Sequence, residues 1–184
     1  GHERVVDLLI RHGAEINLQR GDGVTALMIA AQEGHERVVD LLIRHGAEIN
    51  LQGSDGDTSL MYAAHQGHER VVELLIRHGA EVNLQNSKGF TALMAAAGKG
   101  YERVVELLLQ HGAEVNLQDS GGGTALMCAA RYGHERVVEL LLQHGAEVNL
   151  QSSNGYTALM EAAQWDHERV VEVLIRHGAE VNLQ

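Results

Sequence analysis

The chain has 184 residues, 45% apolar and 21% charged, which is the make-up of one folded domain, and none of its apolar runs approaches the roughly 20 residues needed to cross a bilayer. Its formal charge is −11, with 14 basic residues interspersed among 25 acidic ones, and this argues against nucleic acid, whose counterions are replaced by clustered Lys and Arg. A lone cysteine, Cys128, leaves no internal disulfide; with no signal-like leader before Gly1, the expectation is an intracellular, cytoplasmic chain that binds neither nucleic acid nor membrane.

In chain order, residues 1–19 read GHERVVDLLIRHGAEINLQ, and near-copies of this block begin at Gly34, Gly67, Gly100, Gly133 and Asp166, always 33 residues apart. The chain thus divides into a half unit, 1–19, and five full units at 20–52, 53–85, 86–118, 119–151 and 152–184. Each full unit opens on an insert, 20–33, 53–66, 86–99, 119–132 or 152–165, that keeps a GxTxLMxAA frame while its other residues change.

Within the first insert, Thr25 is an N-cap for a short helix through Ala26, Leu27, Met28, Ala30 and Ala31 that ends near Gly34. In the fixed block, Val38, Val39, Leu41, Leu42 and Ile43 form an apolar face at helical spacing, and Asp40 and Arg44 make an i,i+4 pair on its outside. Gly46 is placed as a left-handed C-cap, with Arg44 and His45 complementing the carbonyl end of the helix dipole. A turn follows at Gly23, Gly56, Gly89, Gly122 or Gly155 after each Asn-Leu-Gln, where positive φ is wanted. Each unit is therefore two antiparallel helices. A pair so small cannot bury its own apolar face, so the units must stack, and the expected architecture is an all-α solenoid.

The period of 33, the Thr-x-Leu-x-x-Ala-Ala frame, and the sequence Gly-His, Val-Val-x-Leu-Leu, Gly-Ala-Glu-Val-Asn resemble the ankyrin repeat over the whole chain. The resemblance implies L-shaped units with projecting loops, a concave surface made of loops and first helices, and a role in binding other proteins. Two departures stand out. The family's Thr-Pro-Leu-His reads Thr25-Ala26-Leu27-Met28 here, so the histidine-to-threonine hydrogen bond is expected to give way to packing of Met28, Met61, Met94, Met127 and Met160. The terminal units also lack distinctive polar caps, Trp165 and Asp166 apart. Val5, Val6, Leu9 and Ile10 are left without the helix they should pack on, which points to an excerpt of a longer array or a designed consensus sequence. Two outcomes follow for this end: fraying of residues 1–19, or end-to-end self-association of two chains.

Variation in the inserts is patterned. One residue before the Thr, one after the Met and the pair after Ala-Ala change from unit to unit, and the last three share one helix face opposite the invariant Leu27, Met28, Ala30 and Ala31. Five of the six aromatic residues, Tyr62, Phe90, Tyr132, Tyr156 and Trp165, lie at these positions, and none is needed for the repeated core. Tyr, Trp and Arg are enriched at binding hot spots. The candidate partner-binding residues are Tyr62, His65, Phe90, Lys99, Arg131, Tyr132, Tyr156, Glu161, Gln164 and Trp165. Tyr132 and Trp165 share a register in adjacent units and are expected to be neighbours, with Arg131 and Tyr156 close by. The plainer reading is drift at tolerant surface sites.

Catalytic and metal readings are weak. His35-Glu36-Arg37-Val38-Val39 starts like a zincin motif but carries valine at the second ligand position, and the histidines before each Gly-Ala recur too far apart to share an ion. Helix capping and packing suit those histidines better. Asp55-Gly56-Asp57 lacks the other oxygen ligands of a calcium loop. No phosphate-binding loop, dinucleotide fingerprint or nucleophile elbow is present, and Cys128 has no dedicated histidine. The reading is a non-enzymatic module, without cofactor or metal, that binds a protein partner through its variable concave face; the alternative is a structural or designed scaffold without an evolved partner.

Overall fold

The computed structural model describes residues 2–182; Gly1, at the start of the half unit, and Leu183 and Gln184, at the end of the last full unit, lie outside it. Eleven helices and no strands occur among the described residues. The half unit contributes α1 (Glu3–Arg11). Each later unit adds a pair: α2 (Ala26–Gln32) and α3 (Glu36–Arg44), α4 (Ser59–Gln66) and α5 (Glu69–Arg77), α6 (Ala92–Lys99) and α7 (Glu102–Gln110), α8 (Ala125–Arg131) and α9 (Glu135–Gln143), α10 (Ala158–Gln164) and α11 (Glu168–Arg176). The first helices stack in one row and the second helices in another, forming a solenoid with one continuous core.

Local chemistry explains how each first helix starts. The Thr25 hydroxyl accepts the Met28 amide at 3.2 Å, and Thr58, Thr91, Thr124 and Thr157 repeat the cap. The expected burial of the methionines holds in four units, with Met160 half-buried. At Met28 packing is not the whole account: its Sδ also accepts the Thr25 amide at 3.4 Å, a sulfur counterpart of the capping box.

Each second helix closes in a Schellman turn. The Gly46 amide bonds to the Ile43 carbonyl and the Ala47 amide to that of Leu42, both at 3.0 Å, with Gly46 at φ 93°. His45 Nδ1 donates to the Leu41 carbonyl at 2.8 Å, and His12, His78, His111, His144 and His177 do the same in their units. These histidines are helix caps.

Four sets of contacts clamp one unit to the next. Val39, Val72, Leu75, Val105 and Leu108 between the helix rows are fully buried. Asn50 Oδ1 accepts the Glu81 amide at 2.9 Å while its Nδ2 donates to the Gly79 carbonyl at 3.1 Å, and Asn17, Asn83, Asn116 and Asn149 repeat this staple. Gln52 Nε2 bridges its own loop, at Gly56, to the Gln85 carbonyl of the next unit. The loop tips are also strung together by single backbone bonds, from Ser54 to Asp22, Ser87 to Asp55, Ser120 to Lys88 and Ser153 to Gly121.

Charge pairing on α3, α5, α7 and α9 follows the residue in the last turn. Where the last turn carries arginine, Arg44 pairs with Asp40 and Arg77 with Glu73 at i,i+4, and Arg37 and Arg70 reach back to Glu3 and Glu36 of the preceding unit. In α7 and α9 that arginine is Gln110 or Gln143, so Glu106 and Glu139 take Arg103 and Arg136 within the same helix instead. All of these pairs are solvent-exposed and contribute little individually.

At the first end, α1 forms but buries none of its residues, and Val5, Leu8 and Leu9 are each more than half exposed.

Candidate functional site

The first-helix row and the loop tips share one side of the array, and the variable residues do not all remain free there. At the position after the Met, Ile29 is exposed, Tyr62, Cys128 and Glu161 are half-buried, and Ala95 is buried. Phe90 corrects the expectation that none of the variable aromatics serves the core, because it is half-buried and packs against the core cluster. Its loop is held by Asn86 Oδ1, which accepts the amides of Lys88 and Phe90, both at 2.9 Å, while Tyr156, at the same register of the last unit and bonded likewise to Ser152 Oγ, stays exposed. Tyr62 is half-buried too, and burial, followed by the carboxylates of Asp55, Asp57 and Asp22, raises its pKa. Asp57 is raised chiefly by burial, against the opposing effect of a 2.7 Å bond from Asn86 Nδ2. His65 and Lys99 are exposed on the second and third units.

Three aromatic residues do remain open: Tyr132 at 60%, Trp165 at 51% and Tyr156 at 40% exposure. The expected neighbour relation of Tyr132 and Trp165 takes a different form. Each residue caps its helix, and the arginine before Tyr132 reaches the tryptophan: the Arg131 guanidinium carbon lies 5.8 Å from the Trp165 ring centroid, over its face. Tyr132 instead leans towards His134, with ring centroids 6.3 Å apart.

Between the loops of the fourth and fifth units the surface opens into a pocket of about 430 Å³. Four of the sequence-predicted residues, Arg131, Tyr156, Glu161 and Gln164, converge on it, whereas Tyr62, His65, Phe90 and Lys99 lie elsewhere along the groove. Its floor includes Met127 and Cys128 and its rim Asp119 and Asn154, which sequence reasoning did not single out. The Asp119 turn held the available signal, since Asp119-Ser120 followed by three glycines is a turn-forming sequence. In the structure Asp119 Oδ1 accepts the Gly121 and Gly123 amides at 2.8 and 2.7 Å. Arg131 Nε lies 3.7 Å from Glu161 Oε2. Burial first, with Asp119 adding to it, pushes the Cys128 thiol up to about 12, so it stays protonated at neutral pH and has no nucleophilic character. Among the described residues, no three His, Cys, Asp or Glu side chains are grouped to hold a metal ion.

Other cavities, such as one of about 350 Å³ beside Glu102, His134 and Glu139, are lined largely by the fixed block and hence by chemistry that recurs in the other units. The pocket of the fourth and fifth units, by contrast, is built from inserts.

No helix among the described residues is long and apolar enough to cross a membrane. No curated protein matches the sequence. The family model described as ankyrin repeats, in three copies, matches residues 1–86, 47–119, 79–152 and 114–184. Ankyrin repeats are generally protein–protein interaction modules and are typically non-enzymatic. The overlapping matches run from one end of the sequence to the other, and the chain belongs to the ankyrin-repeat family.

Proposed function

We propose that this array is a binding module that holds a partner protein against its concave face, with the energetic centre in the fourth and fifth units. The observation that carries the reading is the exposure of Tyr132, Tyr156 and Trp165 on a molecule whose core is already filled by the repeated Leu, Val, Met and Ala. Large aromatics gain most when buried, and three of them within two adjacent units, with Arg131 laid on one, form an anchor of the kind that dominates interfaces. Phe90, engaged with the core, shapes its loop and is set aside as an anchor. The test is a pull-down read by mass spectrometry, comparing the parent with a variant carrying Tyr132→Ala, Tyr156→Ala and Trp165→Ala, after matched denaturant melts. A partner held by the parent and lost by the variant supports the module; a partner held equally by both moves the surface elsewhere.

The exposed apolar side of α1 motivates a second reading, end-to-end association of two copies. Stacked in the internal register, the second copy would set His2 against Asp166, where each preceding internal junction has a glycine. A Cβ built on Gly133 falls 2.6 Å from His167 Nδ1, so such a contact would have to shift, and this reading ranks below the first. Light scattering over a concentration series decides it, a strictly monomeric mass counting against association.

A further inference from the structure

The pocket of the fourth and fifth units allows the protein-binding reading, on which this inference rests, to be taken one step further. Glu161 occupies the register held by Ile29, Tyr62, Ala95 and Cys128 in the other units, so it is the charged residue at an otherwise uncharged position. Its side chain is only 17% exposed, yet its ion pair, with Arg131 Nε, spans 3.7 Å. A strong charge-assisted bond is about 2.7–2.9 Å long. Arg131 is also shared, since its guanidinium lies over Trp165. Glu161 is thus a mostly covered side chain whose carboxylate opens onto the pocket with one loose partner, leaving acceptor positions for a further strong donor.

The rest of the lining agrees. Asp119 brings a second carboxylate, whose Oδ1 is occupied by two backbone amides but which no cation pairs. Arg131 is the one cationic side chain of the pocket, so the lining carries a net negative charge. Tyr156 presents an exposed ring, and Asn154 and Gln164 add side-chain amides able to accept. Carboxylate, ring face and amide acceptors together hold a cation, by ion pairing and by cation–π attraction. An acidic guest would meet two carboxylates, and an aliphatic guest would close over Glu161 without supplying a donor. We propose that the partner inserts a basic side chain, arginine in preference to lysine, into this pocket, where its flat guanidinium pairs with Glu161 and stacks on Tyr156.

The experiment selects a displayed library of random peptides on the intact chain. The expected result is a set of peptides sharing an arginine or lysine, whose affinity falls tenfold or more for Glu161→Gln and is unchanged for Glu33→Gln, an exposed acid on the first unit. Replacing the peptide's own basic residue by norleucine should give the same loss, and little more when combined with Glu161→Gln; this second arm holds even if the protein variant folds poorly. Peptides that depend on Tyr132 or Trp165 but share no basic residue, or that ignore Glu161→Gln, would overturn the basic-residue pocket and leave the binding surface standing. Absence of any peptide sensitive to Tyr132, Tyr156 or Trp165 would overturn both.

Discussion

The imidazole of His134 lies directly on Gly100 of the preceding unit, so close that a Cβ built on the glycine would sit 2.5 Å from Nδ1. From there Nε2 donates to the Gly98 carbonyl at 3.1 Å, and His68 and His167 make the same bond to Gln32 and Arg131 one unit below. In the third unit Tyr101 stands over Gly67 in place of histidine. The glycine is therefore demanded twice, by its positive φ of 76° and by the ring above it.

These two demands separate by mutation. Gly112 also has positive φ, at 85°, but a Cβ there meets nothing within 4 Å. Gly112→Ala should cost only the backbone strain, about 1 kcal/mol, while Gly100→Ala should cost about 2–3 kcal/mol because the His134 ring must also move. Urea melts of the two variants check this, and equal midpoints would show that the ring contact carries no weight.

Asp166 holds the same register as Gly100 and is the one non-glycine residue at positive φ among those described, at 60°. No ring of a following unit stands over it in this chain. Asp166→Gly should accordingly relieve left-handed strain and stabilise the fifth unit by roughly 0.5–1 kcal/mol, net of the extra entropy that glycine gives the unfolded chain. A rise in the urea midpoint with an unchanged slope is the expected readout, and a fall would mean that the Asp side chain makes a net favourable contribution.

Cys128 makes stability depend on pH in the alkaline range. Its folded pKa, about 12, lies above the ordinary 9.0, so the native state keeps a proton that the unfolded state loses first. The contribution is complete below about pH 9 and is lost as pH rises towards 12, at up to about 1.4 kcal/mol per pH unit. Between pH 8 and 10 the parent should lose about 1 kcal/mol more stability than Cys128→Ala, a difference that cancels the other titrating groups. Parallel losses in the two proteins would place the thiol in water.

The repeated fold was legible because every unit states the same local instructions: threonine caps, an apolar stripe, and glycines where φ must be positive. What repetition concealed was the work done between units. Asn50 and Gln52 read only as the approach to a turn, yet Asn50 and its copies are the side chains that join successive Gly-Ala-Glu corners. Their partners lie 29 to 33 residues away, beyond any local pattern.

The candidate surface divides in the same way. Sequence alone determined which residues vary and that the aromatics gather among them, since a duplicated block marks its own exceptions. Which of these remain available was decided by tertiary structure: Phe90 packs against the core cluster while Tyr156, at the same register, stays exposed, and Arg131 is carried across to Trp165. Packing distances of a few ångströms decide such matters, and they depend on the stacking of whole units, which no single unit's sequence contains.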